Sequence, residues 1–212
     1  MKQGLFIAVD GGEGSYKSGV ISAINDEMRK LGVETILTRE PGGTPIAEKL
    51  RAMLLQCSEE KINENTELLM MYAARSQHVE CVIKPALQEK KCVISDRFSS
   101  STIAYQCFGR GISREKVNDI ERIVLNGFCP DLTIIMDLDP AVGLARARNR
   151  AVLDRIEQEN MDFFKRVREG YLHQTREFPE RFSVVDASGT FENARNQVLE
   201  RLSTFLENKG YK

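Results

Sequence analysis

The sequence predicts an α/β domain in which about five parallel strands form one sheet with helices on both faces. Short β-rich apolar runs alternate with longer stretches of helical periodicity. A glycine-rich turn, Asp10-Gly-Gly-Glu-Gly-Ser-Tyr-Lys-Ser18, joins the first such run to the first helical stretch. The 212 residues contain no internal repeat, low-complexity tract or linker, so they read as one domain, 1–212.

The elements follow in order. Leu5–Val9 is apolar throughout, as a strand buried on both faces requires. From Ser18, the residues Val20, Ile21, Ile24, Met28 and Leu31 keep helical spacing, and Gly32 is a fitting stop. Val33–Thr38 reads as the second strand and Arg39–Gly43 as a loop. Thr44 caps a helix with Pro45 in its first turn, running to about Gln56. A long helical region spans Thr66–Glu89, kinked or broken at Pro85. Cys92–Ser95 is a short buried strand, Ser113 starts a helix, and Leu132–Leu138 is the fourth strand. Pro140–Arg148 and Asp162–Phe178 are helical, Arg181–Val185 is the fifth strand, and Phe191–Leu206 the last helix. In such sheets ligands sit at the carboxyl ends of the strands, which is where the chain's motifs fall.

Composition narrows the function. An apolar fraction of 42% builds a core and a charged fraction of 29% keeps the surface solvated. The net charge of −1 gives no global field to attract nucleic acid or an anionic membrane, so an anion site must be local. Cys57, Cys81, Cys92, Cys107 and Cys129 form no C-x-x-C pair, which suits free thiols in a reducing cytoplasm. The start, Met1-Lys-Gln-Gly, lacks a signal-peptide pattern, and no apolar stretch approaches the ~20 residues that span a bilayer. The expected location is cytoplasmic. His78 and His173 lack metal-ligand spacing and are expected in ordinary polar roles, and Met53 and Met70 in packing.

Four motifs carry chemistry. Gly11, Gly12, Glu13, Gly14, Ser15, Tyr16, Lys17 and Ser18 approximate a phosphate-binding loop, with N–H groups and a helix start facing an anion, Lys17 toward the outer phosphates and the Ser18 hydroxyl toward magnesium. Tyr16 stands where the pattern has its second glycine; if the backbone there needs φ > 0, a side chain adds roughly 1–2 kcal/mol of strain. Gly19, in the first helical turn, costs roughly 1 kcal/mol relative to alanine. The second motif is Thr38-Arg-Glu-Pro-Gly-Gly-Thr44 with Arg51 beyond it. The third is Asp96-Arg97-Phe98 continuing to Gln106, a carboxylate and a guanidinium suited to metal and phosphate. The fourth, Arg146, Arg148, Arg150 and Arg155, reads as a mobile arm bringing arginine to a transferring phosphoryl group, a lid at about 146–160.

With Glu67–Arg75 and Leu153–Glu157 added, these strings in this order resemble the bacterial type of thymidylate kinase along essentially the whole chain. The resemblance implies a P-loop NTPase three-layer sandwich with a short lid, and transfer of the γ-phosphoryl group of ATP to dTMP with Mg2+. It implies that Lys17, Glu13, Asp96, Arg150 and Arg155 are catalytic, and that Ser18 and Asp96 serve the metal. Arg97 and Arg51 would grip the dTMP phosphate, Arg75 the thymine edge, and Ser101, Thr102 and Gln106 the rest of the nucleotide. Tyr105 would crowd C2′ and disfavour ribonucleotides, and Met71 would cover the base. A homodimer built from helices is the family precedent. Two alternatives stay open: a catalytically impaired dTMP-binding protein, because of Tyr16, and a kinase for another nucleoside monophosphate.

Overall fold

The computed structural model describes residues 3–148 and 154–211. Five strands, β1 (Leu5–Gly11), β2 (Thr35–Arg39), β3 (Cys92–Asp96), β4 (Leu132–Asp137) and β5 (Phe182–Asp186), form one sheet in the order β2-β3-β1-β4-β5. Every pairing is parallel. Every residue of central β1 is buried, whereas edge strands β2 and β5 are partly exposed, so the continuous apolar run belongs where both faces are covered.

Helices α1 (Lys17–Lys30) and α9 (Phe191–Asn208) cover one face, where Val20, Ile24 and Met28 meet Ile7, Ile134 and Val198. Gly32 at φ 71° ends α1, and the Val33 N–H closes on Met28 O at 3.0 Å. That bond commits Val33 to the helix end, so β2 starts at Thr35 rather than Val33. Helix α2 (Pro45–Leu55) is capped by Thr44, whose Oγ1 accepts the Ala47 N–H at 3.1 Å.

The long helical region divides into α3 (Glu64–His78), a π-helical turn at Val79–Ile83 and α4 (Lys84–Gln88). Lys84 donates to Val79 O, five residues back, and Pro85 has no N–H to continue the ladder. The expected kink is thus a widened turn just ahead of the proline. An unexpected helical segment follows β3: α5 (Ser99–Thr102) runs into a π-helical turn at Ile103–Gly109. Three serines and a threonine are poor helix formers. Packing overrides them, since a Cβ at Gly170 would stand 2.8 Å from Ala104 Cα. Helices α6 (Arg114–Leu125), α7 (Pro140–Arg148) and α8 (Met161–Glu177) complete the layers, with Ser113 and Asn160 capping α6 and α8.

Candidate active site

The carboxyl ends of β1, β2 and β3 open into one cleft of about 490 Å³, within the range of small-molecule sites. Lys17, Asp96 and Arg97 all line it, so the hollow expected for two anionic groups exists.

The glycine-rich loop is shaped by close approaches. Gly14 has φ 65°, and a Cβ there would lie 2.2 Å from Gly143 O on α7; at Gly11, φ 138°, it would lie 2.5 Å from Met136 O. Lys17 Nζ curls over the loop and donates to Gly12 O at 2.7 Å and Gly11 O at 3.2 Å. Burial, with Arg97 nearby, pulls its pKa below the usual lysine value. Ser15 Oγ donates to Gly12 O at 2.7 Å, and Ser18 is exposed at the helix start.

Tyr16 does adopt the left-handed backbone, φ 67°. Its ring packs at the cleft's edge, which it lines together with Phe191: it lies 5.8 Å from the Phe191 ring and 4.5 Å under the Arg146 guanidinium, and its hydroxyl donates to Gly189 O at 3.3 Å. A Cβ on Gly19 would meet that Phe191 ring at 2.5 Å, so the glycine that looks wasteful in a helix makes room for Tyr16's partner. Arg146, expected on the lid, is instead fixed to Ala187 O at 2.8 Å and Ser188 O at 2.7 Å.

Arg97 joins the loop to the second half of the cleft. It holds φ 71°. Its Nη1 donates to Gly11 O at 2.9 Å and Tyr171 Oη at 3.0 Å, and its Nη2 to Glu13 Oε1 at 2.5 Å. Burial opposes its charge, but Tyr105, Tyr171 and Glu13 outweigh burial and raise its pKa. Burial likewise opposes ionisation of Glu13, while Lys17 and Arg97 hold its carboxyl below the usual range. Tyr105 Oη donates to Glu13 Oε1 at 3.4 Å under the Arg97 guanidinium. Asp10, fully buried, accepts from Ser100 at 2.5 Å and from Ser101; burial raises its pKa against those bonds.

Arg51 donates from Nη1 to Pro41 O at 2.9 Å and faces the cleft, its pKa lowered by burial and by Arg39. Arg75 lies deeper. Its Nε donates to Glu40 Oε2 at 2.6 Å, Nη1 to Thr102 Oγ1 at 2.9 Å and Nη2 to Phe98 O at 3.2 Å. His78 spans from Glu40 Oε1 at 2.9 Å to Thr38 Oγ1 at 2.6 Å, so this histidine is a buried brace. Met71 and Gln106 also line the cleft. Asp96 Oδ1 and Gln106 Oε1 are buried acceptors without a hydrogen-bond partner among the described residues.

Two further arginines were expected here. Arg150 lies outside the described residues. Arg155 turns from the cleft, donating to Glu67 Oε2 at 2.6 Å and Leu54 O at 2.8 Å, because Glu67 offers a buried carboxylate. Its neighbours Asp154 and Glu157 line the cleft instead; burial raises the Glu157 pKa.

Sequence reasoning missed Glu40, Glu67, Asp10 and Tyr171 as site residues. For Glu67 a signal existed: Glu67, Met71, Arg75 and His78 recur at helical spacing and mark one stripe on α3. Tyr171 had none, since its place is set by how α8 packs on the turn after α5.

Comparison with known proteins agrees with this geometry. A family model described as thymidylate kinase matches residues 9–198. A thymidylate kinase from Hahella chejuensis is 46% identical over 97% of this chain and 99% of its own length. One from Pseudomonas putida strain GB-1 is 45% identical over 96% and 97%. The crystal structure of thymidylate kinase from Ehrlichia chaffeensis superposes with a TM-score of 0.77 at 30% identity, covering 95% of this chain and 98% of that one.

Proposed function

We infer the function from a plain premise: the chain belongs to the thymidylate kinase family. It transfers the γ-phosphoryl group of ATP to dTMP, giving dTDP and ADP. The bond from the γ-phosphorus to the β,γ-bridging oxygen breaks as a dTMP phosphate oxygen takes its place. The observation that carries this reading is the 2.9 Å bond from Arg97 Nη1 to Gly11 O, which ties the acceptor's arginine to the donor's loop. Two phosphates held on that shared wall meet in line, and positioning with electrostatic stabilisation supplies most of the catalysis.

Within that reaction, Lys17 and the N–H groups of residues 11–18 receive the donor phosphates. Arg97 and Arg51 hold the dTMP phosphate, and Glu13 keeps Arg97 aimed while facing the sugar. Arg75, Thr102 and Gln106 read the base, Met71 covers it, Ser101 steadies Arg97, and Tyr105 limits room at C2′. Ser18 and Asp96 would hold Mg2+, which neutralises phosphate charge when bound; the unpartnered buried Oδ1 of Asp96 suits a cation. The segment about 146–160, anchored at its start by Arg146, is read as the cover, supported by Asp154 and Glu157 at the cleft wall.

The reading extends to assembly and location. Exposed Leu69 on α3 and Ile123 on α6, helices that pack together, support a homodimer, which sedimentation would test. Free Cys57, Cys81 and Cys129 at the surface support a cytoplasmic location. No helix among the described residues is long and apolar enough to cross a membrane.

A coupled ADP assay with dTMP, dUMP, dCMP and UMP tests the assignment. dTMP is expected to be the best acceptor, and another best acceptor would overturn the base reading. ADP release also separates this function from a dTMP-binding scaffold, which family membership gives no reason to favour.

A further inference from the structure

We propose that Glu67 is a positioning residue that fixes which way round the Gln106 amide faces the acceptor base, and so makes an N–H on the base edge a requirement. The proposal rests on the reading of the cleft as a dTMP site. Gln106 Nε2 donates to Glu67 Oε1 at 2.8 Å, and the Glu67 side chain is only 2% exposed. Arg155 Nη2 contacts Glu67 Oε2 at 2.6 Å and Arg110 Nε contacts Oε1 at 3.3 Å. Burial opposes its charge, but the Gln106 bond and the two arginines hold Glu67 below the usual carboxylate range.

An ionised carboxylate only accepts. The Gln106 NH2 must therefore turn toward Glu67, which leaves its carbonyl as the group this cleft-lining residue has free for a ligand. That carbonyl, Gln106 Oε1, is buried and has no partner among the described residues. Arg75, bonded to Thr102 four residues before Gln106, presents a guanidinium, a donor only, to the same cleft. Acceptor next to donor matches the N3–H and O4 of thymine. Neither Arg110 nor Arg155 needs to touch the nucleotide to contribute, because their charges keep Glu67 an acceptor.

Changing Glu67 to Gln should invert the pattern. The arginines would take the new amide's oxygen, its NH2 would face Gln106, and the Gln106 carbonyl would turn away from the cleft. The probe is dTMP against 3-deaza-dTMP, whose C–H replaces N3–H alone. For the full chain with saturating ATP, kcat/KM should favour dTMP at least about tenfold, the scale of one hydrogen bond to a buried acceptor. In Glu67→Gln that ratio should fall to near one, with the dTMP KM raised at least about tenfold and the ATP KM unchanged. A merely structural role would weaken both nucleotides alike and leave the ratio intact. The exchange Glu67→Gln with Gln106→Glu keeps the charge count and returns an acceptor to the cleft, so the preference should reappear even if the single variant folds poorly. A Glu67→Gln protein that keeps the wild-type ratio, or an exchange variant with a ratio near one, overturns the role of Glu67. A wild-type ratio near one overturns the base reading and this role together.

Discussion

On the acceptor side of the cleft, Arg75 is gripped by Glu40 at 2.6 Å, with both side chains only 3% exposed. On the donor side, Lys17 rests on main-chain carbonyls of its own loop, and Tyr16 is fixed by a ring, a guanidinium and one carbonyl at the protein's edge. The contrast follows from what each half binds. A base is told from its relatives by a fixed pattern of donors and acceptors, and each member must be braced because a misdirected buried polar group is expensive. Phosphates are recognised by charge and main-chain N–H groups, which tolerate a side chain at residue 16 provided its ring is held aside, as Phe191 and Arg146 hold this one.

The largest expected effect breaks the acceptor brace. Glu40→Gln leaves Arg75 and His78 without their buried carboxylate and should lower unfolding free energy by about 3–5 kcal/mol in urea titrations. A loss under about 1 kcal/mol, the level of exposed pairs, would show that this half is not cross-braced. Next, Arg97→Ala removes the residue common to both halves. kcat/KM for dTMP should fall about 10²–10³-fold, as for loss of one preorganised donor. A wild-type dTMP KM in that variant would contradict the assignment.

A smaller effect sharpens the donor side. Tyr16→Gly relieves about 1–2 kcal/mol of left-handed strain. It forfeits a ring contact of about 0.5–1.5 kcal/mol and an Arg146 contact of about 0.5–1 kcal/mol. Stability should therefore change by less than about 1 kcal/mol, while ATP KM falls a few-fold and dTMP KM stays put. A rise in ATP KM would mean that the ring's contacts organise the loop for its ligand. The smallest effect is a pH slope. The Glu67 carboxyl is depressed in the fold, so its stabilisation is present above the usual glutamate value of 4.5 and is lost as pH falls through the lower folded value. The stability gap between the native chain and Glu67→Gln should therefore narrow from about pH 7 to about pH 3. A constant gap would show that Glu67 acts through packing alone.

Legibility tracked locality. Pro45 behind Thr44 and Gly32 behind Leu31 are short-range signals, and the element ends they mark were readable to within a residue or two. Ser99–Thr102 was not readable as helix, because its local propensity is weak and α8 supplies the stabilisation. Arg155 had the composition of a lid arginine, but the carboxylate it chose lies on α3. Gly19 looked like a defect until Phe191 was seen against it.

The amino-acid order alone determined the parallel sheet and the phosphate loop after β1, since periodicity, glycines and caps act within a few residues; Arg97 and Arg75 joined Lys17 in one site only through the family resemblance. Only the tertiary structure decided which charges pair: Arg97 with Glu13, Arg75 with Glu40, and Arg155 with Glu67. Pairing depends on which helices the crossovers bring side by side and on which carboxylate is left buried there, and nothing in the local chain encodes that choice.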